Sequence, residues 1–171
     1  SISTIDRLIS VFRKQQPGII IILNEKTNWQ LFNRFRQSLS LPDIKTVRLV
    51  KDMSIILPEI AKTHPVIQIF DDAGLNETFW TNVPPIKDAY QLNIVKKSFV
   101  SLLNGRAANQ VIPVIFNIKS LSGNTLVFNG NAFWKWHFLL QNENDYADGY
   151  QKFLSHAVRW VSYKERLKPV I

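Results

Sequence analysis

Hydrophobic and polar positions alternate along this chain with periods that change several times, and each change predicts an element. Ile5, Leu8, Ile9 and Phe12 recur at helical spacing and make one apolar stripe. Ser3-Thr4-Ile5-Asp6 has the form of a capping box for that helix, and Pro17-Gly18 stops it. Residues 19–23 are continuously apolar, which fits a central strand. Trp29, Phe32, Phe35 and Leu39 supply the buried face of a second helix, with Thr27-Asn28-Trp29-Gln30 as a second candidate box and Leu41-Pro42 as its end. Over residues 45–50, Val47 and Leu49 alternate with Arg48 and Lys51, the pattern of a half-exposed strand near an edge. Residues 55–61 stay ambiguous because Pro58 interrupts them.

Residues 71–82 read as a polar connection carrying Phe79 and Trp80, and Val83-Pro84-Pro85-Ile86 as a stiff extended stretch. Residues 99–103, 111–118 and 125–128 read as strands. A polar loop at 104–110 and a tight turn at 120–124 join them, so an antiparallel hairpin series is expected. The last helix should run from about Asp148 to Tyr163, burying Tyr150, Phe153, Leu154, Ala157, Val158 and Val161. The whole is one α/β domain over residues 1–171, with a mixed sheet that has a parallel core and antiparallel hairpins at one side. A helix stands where a parallel unit would begin with a strand, so a segment of a longer chain is expected.

Composition narrows the function classes. The chain is 46% hydrophobic, enough for a substantial core. No apolar run approaches the roughly 18 residues a membrane span needs, so insertion by this domain itself is not expected. The net charge is +8, but Arg7, Arg13, Lys14, Arg34, Arg36, Lys45, Arg48 and Lys51 are scattered, and only residues 164–168 form a basic cluster. Solvated faces explain this better than a nucleic-acid partner. There is no cysteine, which excludes disulfides, thiolate metal sites and a thiol nucleophile without fixing the compartment. No nucleophile elbow, phosphate loop or dinucleotide fingerprint is present. His64, His137 and His156 lack metal-ligand spacing, so neither metal nor cofactor is expected. Asp71 and Asp72 are adjacent and point apart, and Glu143, Asp145 and Asp148 fit an exposed loop.

The best place for a ligand is the carboxyl end of the strand at 125–128, because open α/β sheets bind ligands outside such ends. Asn129, Gly130 and Asn131 follow it and permit a sharp turn. Phe133, Trp134, Trp136 and His137 come next. Either tryptophan could stack on a sugar or base, or pack on the last helix near Trp160. If the segment is extended, the two rings face opposite sides. His64 precedes a proline and suits a structural hydrogen bond as well as ligand contact. The candidate ligand residues are therefore Asn129, Asn131, Trp134, Trp136, His137 and His64, with no catalytic residue assigned.

His64-Pro65-Val66, Trp80-x-x-Val83-Pro84-Pro85, the run from Gly123 to Phe128, Phe133-Trp134-Lys135-Trp136 and Phe153-x-x-x-x-x-Arg159-Trp160 occur in that order. The ordered set resembles the class I glutamine amidotransferase-like domain of large uncharacterised bacterial membrane proteins. It is also similar to the trehalose-utilisation-like branch of that superfamily. The resemblance implies a flavodoxin-like three-layer sandwich. It implies partners among other domains of the same parent chain, often von Willebrand A-type regions and membrane spans, and a bacterial envelope location, more on the periplasmic face than in the cytoplasm. It does not carry over glutamine hydrolysis, which in that superfamily uses a cysteine nucleophile. Where a catalytic or ligand histidine would stand by analogy, this chain has Asn129-Gly130-Asn131. The expected function is a non-catalytic scaffold or recognition domain. The alternative is a hydrolase or carbohydrate-binding domain using a strand-end cleft, and a third reading, resting on charge alone, is a nucleic-acid or anionic-surface binder. A filled strand-end crevice favours the first, a pocket converging histidines or acids the second, and a continuous basic face the third.

Overall fold

Two hydrophobic cores lie on opposite faces of one mixed sheet. The structure, a computed structural model, describes residues 2–15, 17–94, 99–120, 123–141 and 146–163. The turn expected at 120–124 falls partly outside these residues. The basic cluster at 164–168 and the acids Glu143 and Asp145 lie outside them altogether.

Helix α1 (Ile2–Gln15) begins ahead of the expected capping box, so Ser3 and Thr4 lie inside the helix. Ile9 is buried and Phe12 meets Phe35 edge-on at 5.5 Å, while Leu8 stays exposed, so the stripe is only partly covered. Helix α2 (Trp29–Ser38) is capped by Asn28, whose Oδ1 accepts from the Leu31 amide at 3.1 Å. The box residue Thr27 serves the preceding turn, its Oγ1 accepting from the Asn24 amide at 2.9 Å.

The first strand, β1 (Ile19–Leu23), pairs in parallel with the last, β7 (Gly123–Asn129). Together with β3 (Ser54–Ile56), β5 (Phe99–Ala107) and β6 (Gln110–Ser120) they form a five-stranded sheet in the order β1-β7-β6-β5-β3. Every pairing but β1–β7 is antiparallel, so the expected hairpin series is present, while the expected parallel core is a single pair at one side. β1 is an edge strand rather than a central one: Ile19, Ile21 and Leu23 are buried, and Ile20 and Ile22 are exposed. An apolar run reports that a strand is buried somewhere, not how many neighbours it has.

Two further strands, β2 (Ile44–Val50) and β4 (Ala89–Ile94), form a separate antiparallel ribbon. The half-exposed strand expected at 45–50 is there; its partner β4 was not anticipated. The polar loop expected at 104–110 is instead strand that turns through Ala108 and Asn109. The polar connection expected at 71–82 is a helix, α3 (Ala73–Asn82), capped by Asp72, whose Oδ1 accepts from the Leu75 amide at 2.7 Å. Adjacent Phe79 and Trp80 are both fully buried, so the segment lacks a clean helical stripe in sequence.

Alternation along β7 builds the two cores. Leu126 and Phe128 face one way, against Phe153, Ala157 and Val161 of the last helix α5 (Gly149–Ser162), with Trp80 and Trp136 beside them. Val127 faces the other way, with Phe116 and Ile118, against Ile19, Ile21, Phe32 of α2 and Ile44 of the ribbon. The stripe on α5 is narrower than expected: Leu154 and Val158 are exposed and Tyr150 is half-buried. The end of α5 presses so close to the start of β1 that a Cβ at Gly18 would stand 1.7 Å from the Val161 carbonyl oxygen. Only glycine allows that approach.

Candidate functional site

At the carboxyl end of β7 the polar residues serve the fold. Asn129 is fully buried, and its Nδ2 donates to the carbonyls of Tyr90 at 2.8 Å and Pro113 at 2.9 Å. Its Oδ1 accepts from the Tyr90 amide at 3.0 Å. Both amide hydrogens and the carbonyl oxygen are thus engaged, and the side chain stitches the ribbon to the main sheet where backbone pairing stops. Gly130 adopts φ +146°, donates its amide to the Leu23 carbonyl at 2.9 Å, and lies where a Cβ would meet Ile86 Cγ2 at 2.7 Å. Asn131 bridges to Lys87 through its backbone, and its Nδ2 donates to Glu25 at 3.0 Å. Residues 86–90 therefore fill the crevice outside β1 and β7. Asn129 and Asn131, expected as ligand contacts, make these side-chain hydrogen bonds within the chain.

The tryptophan segment is helical rather than extended. Trp136 sits in α4 (Lys135–Leu140), immediately after Trp134. Two residues along a helix turn through about 200°, so the rings still face opposite sides. Trp136 is buried, donates from Nε1 to the Pro84 carbonyl at 2.8 Å, and lies 6.4 Å from the Phe153 ring. It belongs to the core, against the last helix. Trp134 is 58% exposed, with Phe138 at 5.9 Å and Lys135 Nζ 5.6 Å from its ring. His137 is half-buried, its Nε2 accepts from Gln141 at 3.1 Å, and its ring lies 6.0 Å from Tyr150, whose phenol is held above its ordinary pKa by burial.

His64 does not join them. It lies against Trp160, at the far end of α5 from Tyr150, about 15 Å of helix away at 1.5 Å per residue. His64 Nδ1 accepts from the Val66 amide at 3.2 Å, the structural hydrogen bond its place before proline suggests. Burial pushes its pKa below the ordinary 6.5 by disfavouring the charged ring.

Around that far end the chain forms a groove of about 730 Å³. One wall is His156, Arg159, Trp160 and Tyr163, which recur at helical spacing at and just beyond the end of α5. The other is Pro65, Gln68 and Asp71. The second wall is pinned from behind: Trp80 Nε1 donates to the Ile67 carbonyl at 2.8 Å, and Asn76 Oδ1 accepts from the Ile69 amide at 3.0 Å. His156 Nδ1 joins the walls, 2.9 Å from the Pro65 carbonyl oxygen. A carbonyl only accepts, so Nδ1 carries a proton and donates it to Pro65. Asn124 fixes the helix end, its Nδ2 donating to the carbonyls of Trp160 at 2.8 Å and Tyr163 at 3.1 Å.

Sequence reasoning noticed His64, His156 and Asp71 separately and missed the groove. Pro65 and His156 are 91 positions apart, and no spacing rule reaches that far. The legible signal was the helical recurrence of His156, Arg159 and Tyr163, which share one side of an amphipathic helix and the residue just beyond it. Among the described residues no cluster of histidines and acids is arranged to hold a metal ion, and no helix is long and apolar enough to cross a membrane. No protein-family model matches the chain, and neither does any curated protein.

Proposed function

We propose that this chain is a non-catalytic, glutamine amidotransferase-like scaffold or recognition domain of a larger, envelope-associated bacterial protein, in which other domains of the same parent are its partners. The observation that carries this reading is the filled strand end. Superfamily chemistry would need a nucleophile and a base opening onto a crevice there. Here Asn129 holds the ribbon to the sheet with all its polar atoms, Ile86 abuts Gly130, and the sequence has no cysteine. Apolar cores on both faces of the sheet support a flavodoxin-like three-layer arrangement. The single parallel pair and the β2–β4 ribbon would be departures from that type. Placement on the periplasmic face rests on the resemblance alone.

The strand-end enzyme or sugar-binding alternative loses support because its candidate residues do not converge. Trp136 is core, Asn129 is internal, and His64 lies at the other end of α5. The anionic-surface reading is weakened by pairing, since Arg34, Arg36, Lys62, Lys87 and Lys152 each face a carboxylate. The test is ammonia release from glutamine by the purified chain against a heat-killed control. No release above the control is expected, and sustained release would overturn the non-catalytic reading.

A further inference from the structure

We propose that the groove between α5 and residues 64–71 binds a small zwitterion, an amino acid or short peptide carrying one carboxylate, one ammonium and a flat or apolar side chain. The proposal rests on reading the domain as a recognition module and names the ligand class for it.

Charge is the first argument. Arg159 stands on the helical wall and Asp71 on the opposite one. Neither makes a salt bridge to another described residue, although Arg36, Lys62 and Lys152 do find carboxylate partners. Two opposite charges that face one groove without meeting suit a molecule that bridges them. A carboxylate accepts two hydrogen bonds from the guanidinium fork, and an ammonium donates to the aspartate. The pair has no net charge, so a simple anion or cation gains from one wall what it loses at the other.

The second argument is the aromatic platform in the same groove. Trp160 is half-buried and backed by the His64 ring at 5.1 Å, so it is held in place from behind. Tyr163 extends the aromatic surface and is 68% exposed. Flat rings with polar edges take an apolar or planar side chain at little cost in conformational freedom. Gln68 adds a donor and an acceptor for amide groups.

Third, the walls are set before any ligand arrives. The Trp80, Asn76, His156 and Asn124 hydrogen bonds described above hold backbone on both sides. Preformed geometry lowers the ordering cost of binding. A volume of about 730 Å³ is typical of small-molecule sites and leaves room beyond a single amino acid. The groove is open, so affinity in the millimolar to high-micromolar range is expected.

The experiment is an NMR titration of the full chain with glycyl-phenylalanine, following the Trp160 indole proton, assigned with Trp160→Phe. Matched titrations use the same dipeptide acetylated and amidated at its ends, and maltose. Saturable shifts at Trp160 and along α5 with the free dipeptide are expected. The doubly capped form should bind at least five-fold more weakly, as should the free dipeptide to Arg159→Gln and to Asp71→Asn. Both substitutions are at exposed positions, and an unchanged melting temperature would certify that each variant is folded. Absence of saturable shifts, equal binding of capped and free dipeptide, or binding of maltose alone would each overturn the proposal. The dipeptide should be recovered intact. Its cleavage would overturn the non-catalytic reading while leaving the groove as a zwitterion site, and absence of binding would do the reverse.

Discussion

The two ends of α5 contrast in what their polar groups do. Near its start, beyond the carboxyl end of β7, Asn129 and Asn131 sit where α/β sheets usually hold ligands, yet their side chains are bonded within the chain. Near its finish, Arg159 and Asp71 sit where no sheet rule would look, and they face a groove without ion-pair partners among the described residues. Polar residues at a strand end announce that the backbone must turn. Whether they also recognise something depends on whether their hydrogen-bonding capacity is used up locally. By that criterion the strand end is a junction, and the groove is where a site is proposed.

The largest effect that can break this contrast is at the core side of the junction. Trp136→Ala should cost about 3–5 kcal/mol, the usual range for truncating a buried tryptophan. Trp134→Ala, at a 58% exposed position, should stay within about 0.5 kcal/mol. Urea denaturation of both variants checks this, and equal stabilities would mean that α4 is an exposed recognition element. Next comes Asn129→Ala. It strands the Tyr90 amide and the carbonyls of Tyr90 and Pro113 away from their partner, and a cost of about 2–4 kcal/mol follows from the desolvation of such groups. A neutral outcome would mark Asn129 as ligand-facing.

A smaller effect concerns acid. In the unfolded chain His64 titrates near 6.5, and in the folded chain burial holds it lower. Well above 6.5 both states are neutral at this site and it adds no pH dependence. As pH falls through 6.5 the unfolded state gains the proton first, so stability should decline until the folded state also titrates. His64→Gln should flatten that part of the curve in melting experiments from neutral to mildly acidic pH. An unchanged slope would place the ring in water. The smallest effect is expected at the groove itself, where Arg159→Gln should leave stability within about 0.5 kcal/mol, as befits an exposed side chain without an ion-pair partner among the described residues. A marked loss would make Arg159 a structural residue instead.

Much of the fold was legible because periodicity is a local signal. The stripes of α2 and α5 and the continuous runs of β1, β6 and β7 lie in their own sequences. What escaped depends on distant residues. Helix α3 hides because Asn76 is buried while accepting from the Ile69 amide, and the adjacent Phe79 and Trp80 both enter one core. Strand β4 is short and mixed in polarity, and it is recognisable only through its pairing with β2 and its tie to Asn129. The edge position of β1 and the exposure of Leu154 and Val158 depend on what does not cover them, which no periodicity encodes. The candidate site shared that limit. The aromatic segment and His64 were each noticed, but their separation by the length of α5 exists only in three dimensions.

Residues 86–90 and Asn129 close the strand-end crevice from within the chain. Amide hydrogen exchange at Tyr90 and Gly130 tests this closure most directly, since Tyr90 donates to Asn129 Oδ1 and Gly130 to the Leu23 carbonyl. If the junction is part of the packed fold, both amides should exchange with free energies approaching that of global unfolding. Tyr90 alone should lose protection selectively in Asn129→Ala. Exchange at Tyr90 and Gly130 as fast as at the exposed turn residue Asn109 would contradict the account and reopen the strand end as a binding site.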